Sequence, residues 1–376
     1  MSGWDVANSA SGHERVAVLP ALFFWTKNPD CGAVSSLKRL FWNERTRRLR
    51  AGWRLVLQTA LLGACTLATG LVLTLLAQPF GVAPGASSPE APPGTARLLS
   101  TLAAMGGVAA SMAAAARYLD RRPFADFGFH LDRRWRADLG FGLALGPLLM
   151  GGIFAIGWGL DWIEVTGTLA PAERGSSFAL PFAGALVAFV CVGIYEEMIS
   201  RGYHLLNVAE GLSGLLGPRA ALAVGCVASS AVFGVLHWGN PNATLRSTAC
   251  LVGAGLLFGL AYVVTGELGL PIGLHISWNF AQGNVFGFPV SGTDAGATLL
   301  GTRPTGPEWW TGGAFGPEAG ASGILALLVA VVAVFVWTRF RRGDARPRLA
   351  LAHYAPPGET DGVTEVRQAS PRSESA

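Results

Sequence analysis

Eight apolar stretches of close to membrane-spanning length dominate the chain, at about residues 55–77, 98–116, 139–160, 178–200, 220–238, 248–265, 268–289 and 322–338. A helix rises 1.5 Å per residue, so crossing the hydrocarbon core takes about 20 residues, with roughly 17 to 25 as the working range. Most of the stretches show little amphipathic contrast, as suits helices surrounded by lipid and by each other. The fold class predicted is all-α: a polytopic integral membrane bundle of about eight transmembrane helices. Composition agrees, since only 14% of residues are charged against roughly 25% in soluble domains. Cys65, Cys191, Cys226 and Cys250 fall inside the apolar stretches, form no CxxC pair, and read as small apolar filler.

Charge placement orients the bundle. Lys38, Arg39, Arg45, Arg47, Arg48, Arg50 and Arg54 precede or open the first span. Arg117, Arg121, Arg122, Arg133, Arg134 and Arg136 separate the second from the third, and Arg339, Arg341 and Arg342 follow the last. Basic residues beside apolar spans mark cytoplasmic loops, and eight spans return both termini to one side. The expectation is a multi-pass protein of the cell membrane with both termini cytoplasmic and no nucleic-acid partner. Residues 1–50 read as a polar, basic N-terminal region, 51–342 as the transmembrane domain, and 343–376 as a disordered tail too poor in apolar residues to pack. Loops 79–97 and 290–321 would face outward. The polar N-terminus shows no cleavable signal peptide, so the first span would direct insertion.

Ionisable groups inside membrane helices are costly and face the bundle interior. Here they form three constellations. In "EEMISR", Glu197 and Arg201 are four apart and share a helix face, while Glu196 is rotated by about 100°. The bland reading is a helix-end salt bridge with a spare interfacial carboxylate. In "FGVLH", Phe233 and His237 share a face, so the ring could shield and orient the imidazole; an isolated histidine there would be an ordinary interfacial residue. In "HISWN", His275 and Asn279 point the same way and could both donate to one oxygen. That span also carries Ser277, Gln282 and Asn284, and interhelical polar bonding would explain all five. Taken together, a carboxylate, two imidazoles and an amide are the parts of a site that activates water and stabilises an oxyanion.

In this order, "EEMISR", "FGVLH" and "HISWN" resemble the EExxxR, FxxxH and HxxxN motifs of the intramembrane endopeptidases that include type II CAAX prenyl proteases and the bacterial CPBP or Abi proteins. The resemblance covers residues 140–290, and more loosely the segment "TGPEWWTGGAFGPEAG". It implies hydrolysis of a peptide bond in a membrane-associated protein or peptide. Glu196 and His237 would activate water, His275 and Asn279 would stabilise the oxyanion, and Glu197 with Arg201 would hold the first motif. A second version makes Glu196, His237 and His275 ligands of a catalytic zinc ion, a donor set that zinc accepts. There is no HExxH, and the donors come from separate helices, so spacing does not decide.

A catalytically silent scaffold or bacteriocin-immunity protein of the same fold is the alternative, and the intact motifs argue against it. An ion-coupled transporter would show matched inverted halves, which the chain lacks. Prenylated proteins are substrates of the family's eukaryotic branch, and nothing here encodes prenyl recognition. One difficulty attends the drawing: on the boundaries above, His237 falls at the opposite end of the bundle from Glu196 and His275. Either the fourth span continues well past Arg201, or residues 203–218 dip into the membrane.

Overall fold

The structure is a computed structural model that describes residues 39–78, 95–172, 177–294 and 296–355. Seven helices among them are long and apolar enough to cross a membrane: α1 (Ala51–Ala77), α2 (Ala96–Asp120), α3 (Arg133–Gly159), α4 (Ala179–Leu216), α5 (Pro218–Leu236), α6 (Leu245–Thr265) and, after the shorter α7 (Gly269–Phe280), α8 (Ala321–Arg342). The chain is therefore an all-α, multi-pass membrane bundle. Local chemistry sets the helix ends. The Asp132 carboxylate accepts the Trp135 N–H at the start of α3, and Thr244 and Ser247 form a capping box at the start of α6. Pro218 opens α5, and Arg339, Arg341 and Arg342 complement the helix dipole where α8 ends.

The fourth element resolves the difficulty in the drawing. α4 runs unbroken for 38 residues, with a π-helical stretch at Met198–Leu205, and turns at Gly217 into the antiparallel α5. Glu197 and His237 each lie 20 residues from Gly217 along the chain, so the hairpin brings them to one level, about 30 Å from the turn. The first of the two alternatives holds, and residues 203–216 are helix. Beyond the expected end of this span, Arg201, Tyr203 and Asn207 are buried inside the bundle, and the Glu210 side chain is 2% exposed.

The expected span at 268–289 is shorter than its apolar stretch. It is a 12-residue helix continued by five π-helical residues, Ala281–Val285, together about 25 Å long. Residues 269–278 are all buried, so this stretch is apolar because protein surrounds it. Small residues let α3 and α7 touch backbone to backbone, as membrane interfaces do. A Cβ on Gly142 would meet the Leu270 carbonyl at 2.5 Å, one on Gly269 the Trp135 carbonyl at 2.5 Å, and one on Gly146 would overlap Ser277. The Ser277 hydroxyl donates to the Gly142 carbonyl at 2.9 Å across this seam.

Two small antiparallel sheets lie outside the sequence expectation. β1 (Trp42–Asn43) pairs with β2 (Arg48–Leu49), and β3 (Ile163–Ala170) pairs with β4 (Thr298–Pro304). The second takes up part of the segment expected to be an outward loop. Residues 343–355 also depart from the expected disordered tail. The Arg348 N–H donates to the Val263 carbonyl at 2.9 Å, Leu351 and Ala352 are buried, and Tyr354 lies under the Arg48 guanidinium at 3.4 Å. The remainder of that tail, most of the N-terminal region, and residues 79–94 of the first outward loop lie outside the described residues.

The basic residues of the first two clusters do more than orient the chain. Arg48, Arg54 and Arg122 converge on Asp120 and Glu210, with all five side chains at most 5% exposed. Glu210 accepts Arg48 at 2.7 Å and Arg122 at 2.5 Å. The network ties β2, α1 and the end of α2 to the extended half of α4. Removing one partner of such a buried network strands the others in low dielectric. Glu210→Ala is accordingly expected to lower stability by about 3–5 kcal/mol. Thermal unfolding in detergent checks this, and an unchanged midpoint would contradict the role given to Glu210.

Candidate active site

Three helices deliver the motif residues to one cavity. α4 supplies Glu196 and Glu197, the C-terminal end of α5 supplies His237, and α7 supplies His275 and Asn279. Glu196, His237, His275 and Asn279 line a cavity of about 140 Å³ with Phe233, Phe258, Trp278, Ser291 and Glu318. This space is roomy and polar enough for several waters. A larger cavity of about 620 Å³, beside β2 and the end of α4, contains none of the motif residues.

Glu197 and Arg201 form the pair expected from their spacing, at 2.8 Å with both side chains fully buried. The same carboxylate oxygen, Oε1, also meets His275 Nδ1 at 2.8 Å. Because a carboxylate accepts, Nδ1 carries a proton and donates. Arg201 donates onward to the Gly255 carbonyl at 3.0 Å, which brings in α6. Its guanidinium lies 4.7 Å from the Phe233 ring centre and 5.2 Å from that of Phe258, in cation–π geometry.

Glu196 sits on the next helical face with a different environment. Its side chain is 22% exposed, and Oε2 has no hydrogen-bond partner and lies 3.8 Å from His275 Nε2. His237 Nδ1 bonds the Phe233 carbonyl at 2.7 Å. A carbonyl only accepts, so Nδ1 is the donor and the neutral ring has its lone pair on Nε2. Phe233 also packs against this ring, with centres 4.8 Å apart. The partnership read from the FxxxH spacing is therefore both a ring contact and a backbone bond.

Other residues of the site carried no sequence signal. Phe258 stacks on His275 with ring centres 4.9 Å apart and planes within 9°. One phenylalanine in an apolar span cannot announce such a role. Glu318 lies 39 residues beyond Asn279, and only the loosely matched Gly-rich segment pointed there. Of the polar residues in the HISWN stretch, Ser277 and Asn284 serve packing: Ser277 bonds α3, and Asn284 donates to the Ala297 carbonyl at 2.7 Å. The donor types of Glu196, His237 and His275 suit zinc, yet among the described residues no three such groups stand close enough together to hold a metal ion.

Fold and site together define a membrane-embedded bundle with a carboxylate, imidazole and amide constellation, buried at Glu197 and His275 and partly exposed at Glu196, His237 and Asn279. Residues 178–281 match the family model described as Type II CAAX prenyl endopeptidase Rce1-like. The matched segment opens at the start of α4, closes just past α7 and carries all three motifs. This bears out the resemblance drawn from the motifs, at the level of a CAAX-type endopeptidase core. No curated protein and no solved structure gives a significant match.

The two adjacent glutamates are expected to behave differently on mutation. Arg201→Ala leaves the Glu197 charge buried without its guanidinium, which costs about 3–5 kcal/mol. Glu196→Gln removes a carboxylate that lacks a close partner and should leave the unfolding midpoint unchanged or slightly raised. Unfolding midpoints of the two purified variants check both, and equal losses would contradict the distinction.

Proposed function

We propose that the protein is an intramembrane endopeptidase that hydrolyses a peptide bond of a membrane-associated protein or peptide, with Glu196 as the general base. The observation that carries the reading is the unpartnered Glu196 Oε2 at 3.8 Å from His275 Nε2. Two polar atoms at that separation can share one water at ordinary hydrogen-bond distance. The water would lie inside the cavity that His237 and Asn279 also line.

In this mechanism Glu196 accepts a proton from the water as its oxygen attacks the scissile carbonyl carbon. His237 Nε2, with its lone pair directed by the Nδ1 bond to Phe233, accepts the second water hydrogen and orients the nucleophile. The carbonyl oxygen becomes an oxyanion. The Asn279 amide donates to it, and His275 donates through Nε2 when its ring carries both protons, with Nδ1–H anchored on Glu197. Collapse of the intermediate breaks the C–N bond, and the departing amine takes the proton held by Glu196. Preorganised donors of this type are worth roughly 3–4 kcal/mol each in transition-state stabilisation. Glu197 and Arg201 never meet substrate; they hold His275 and the first motif in place.

With α7 as an eighth crossing, the basic clusters at the start of α1 and at the ends of α2 and α8 favour the cytoplasmic side for all three under the positive-inside rule, and the cell membrane would be the site of action.

The test is cleavage by the purified protein in lipid nanodiscs of a quenched-fluorescence library of membrane-anchored peptides. Wild type is expected to cleave and Glu196→Gln to lose at least about 10²-fold in kcat, the low end for removing a general base, while remaining folded. Cleavage by that variant at the wild-type rate would overturn the mechanism. Prior dialysis against a strong zinc chelator should leave wild-type cleavage intact. Loss restored by zinc alone would replace this mechanism with the metal-dependent one.

A further inference from the structure

Glu318 is a buried carboxylate, 6% exposed, with no part in the proposed mechanism. It lies in the short 3₁₀ turn Pro317–Ala319 ahead of α8 and lines the same cavity as Glu196, His237, His275 and Asn279. Three donors converge on it. Oε1 accepts the Ser291 N–H at 2.5 Å and the Ser291 hydroxyl at 3.2 Å, and Oε2 accepts the Gln282 amide. None of the three can accept from it through the same atom, except the hydroxyl by turning away, so the arrangement suits the ionised form.

Each partner leads to a different half of the site. Gln282 follows α7 by two residues and accepts the Trp278 indole N–H at 2.9 Å, which fixes it against the helix that carries His275 and Asn279. The Ser291 carbonyl accepts the Asn240 amide at 3.0 Å, and Asn240 closes the 3₁₀ turn that begins at His237. The Glu318 carboxylate is thus the common acceptor between the His237 turn and the His275–Asn279 helix.

We propose that Glu318 is a positioning residue of this site: as a carboxylate it holds Ser291 and Gln282, and thereby fixes the spacing of His237 from the His275–Asn279 pair. The inference rests on the endopeptidase reading. Burial, partly offset by the hydrogen bonds it accepts, pushes the Glu318 carboxyl up to about 7, so its ionisation falls within an accessible range of activity measurements. Other ionisable groups surround it. Glu196, His237 and His275 face it across the cavity with Arg97 at the rim, Cys250 stands on α6 with Arg246 beyond it, and Glu308 lies on the turn against Gly313.

The experiment follows cleavage of one peptide by wild type, Glu318→Gln, Ser291→Ala and Glu196→Gln in nanodiscs, with kcat and KM measured from about pH 5.5 to 8.5. Glu318→Gln places an amide N–H against donors, as protonated Glu318 does. Its kcat is expected to fall about tenfold or more at the alkaline end with KM within about twofold, as displaced catalytic groups produce. The ratio of wild-type to variant kcat should shrink toward one at the acidic end. A ratio that stays constant with pH, or a kcat equal to wild type throughout, would overturn the proposal, because a merely structural role or another titrating group would leave that ratio flat. Should Glu318→Gln fail to fold, Ser291→Ala carries the test. Losing one donor to the carboxylate raises its pKa, so the acid limb of activity moves to higher pH; an unmoved limb overturns the proposal. Glu196→Gln separates the two levels: cleavage by that variant defeats the underlying reading whatever Glu318 does.

Discussion

One carboxylate oxygen ties two of the three motif helices together. Glu197 Oε1 accepts both Arg201 from its own helix and His275 Nδ1 from α7, each at 2.8 Å, and Arg201 reaches on to the Gly255 carbonyl of α6. A charge buried this deeply is tolerated only when it is paired and hydrogen-bonded, so the positions of three helices are coupled to it. Phe233 and Phe258 pack around the guanidinium and the two imidazoles and keep the cluster dry on that side. With Glu197 committed to structure, helical periodicity turns the adjacent Glu196 into the cavity with an oxygen that nothing satisfies. On the proposed mechanism the doubled glutamate is divided between two tasks, one carboxylate for architecture and one for chemistry.

The rest of the bundle brings α4, α5 and α7 to one cavity. α4 and α5 form a long hairpin whose arms place Glu197 and His237 equally far from Gly217. α7 is buried deeply enough to present His275 because glycines on α3 and α7 remove the side chains that would separate their backbones. The buried arginine network at the other end anchors the extended half of α4 against α1, α2 and β2. Precision at the site thus rests on close packing and paired charge in rigid helices, which is how a constellation is held to the tolerance catalysis needs.

Much of this was legible in the sequence, and the exceptions share a physical cause. Lipid-facing helices and the three motifs are local patterns: length, hydropathy, and spacings of four residues. What escaped depends on surroundings. The 268–289 stretch is as apolar as a span, but its neighbours are protein, and hydropathy does not distinguish the two. The fourth expected span ends near residue 200, whereas the polar residues beyond it have partners inside the bundle: the Tyr203 hydroxyl donates to the Arg54 carbonyl, and Glu210 pairs with Arg122. The β3–β4 ribbon joins segments about 130 residues apart, a pairing no local window contains. Phe258 and Glu318 matter through what they touch, and neither type nor spacing announces it.

The most direct measurement compares the membrane proteomes of cells carrying the wild-type protein and Glu196→Gln at equal levels, with newly formed peptide ends identified by terminal labelling. The account predicts specific fragments present with wild type and missing with the variant, together with accumulation of their full-length precursors. Identical patterns of ends and precursors across growth conditions would contradict a proteolytic role and favour a scaffold of the same fold.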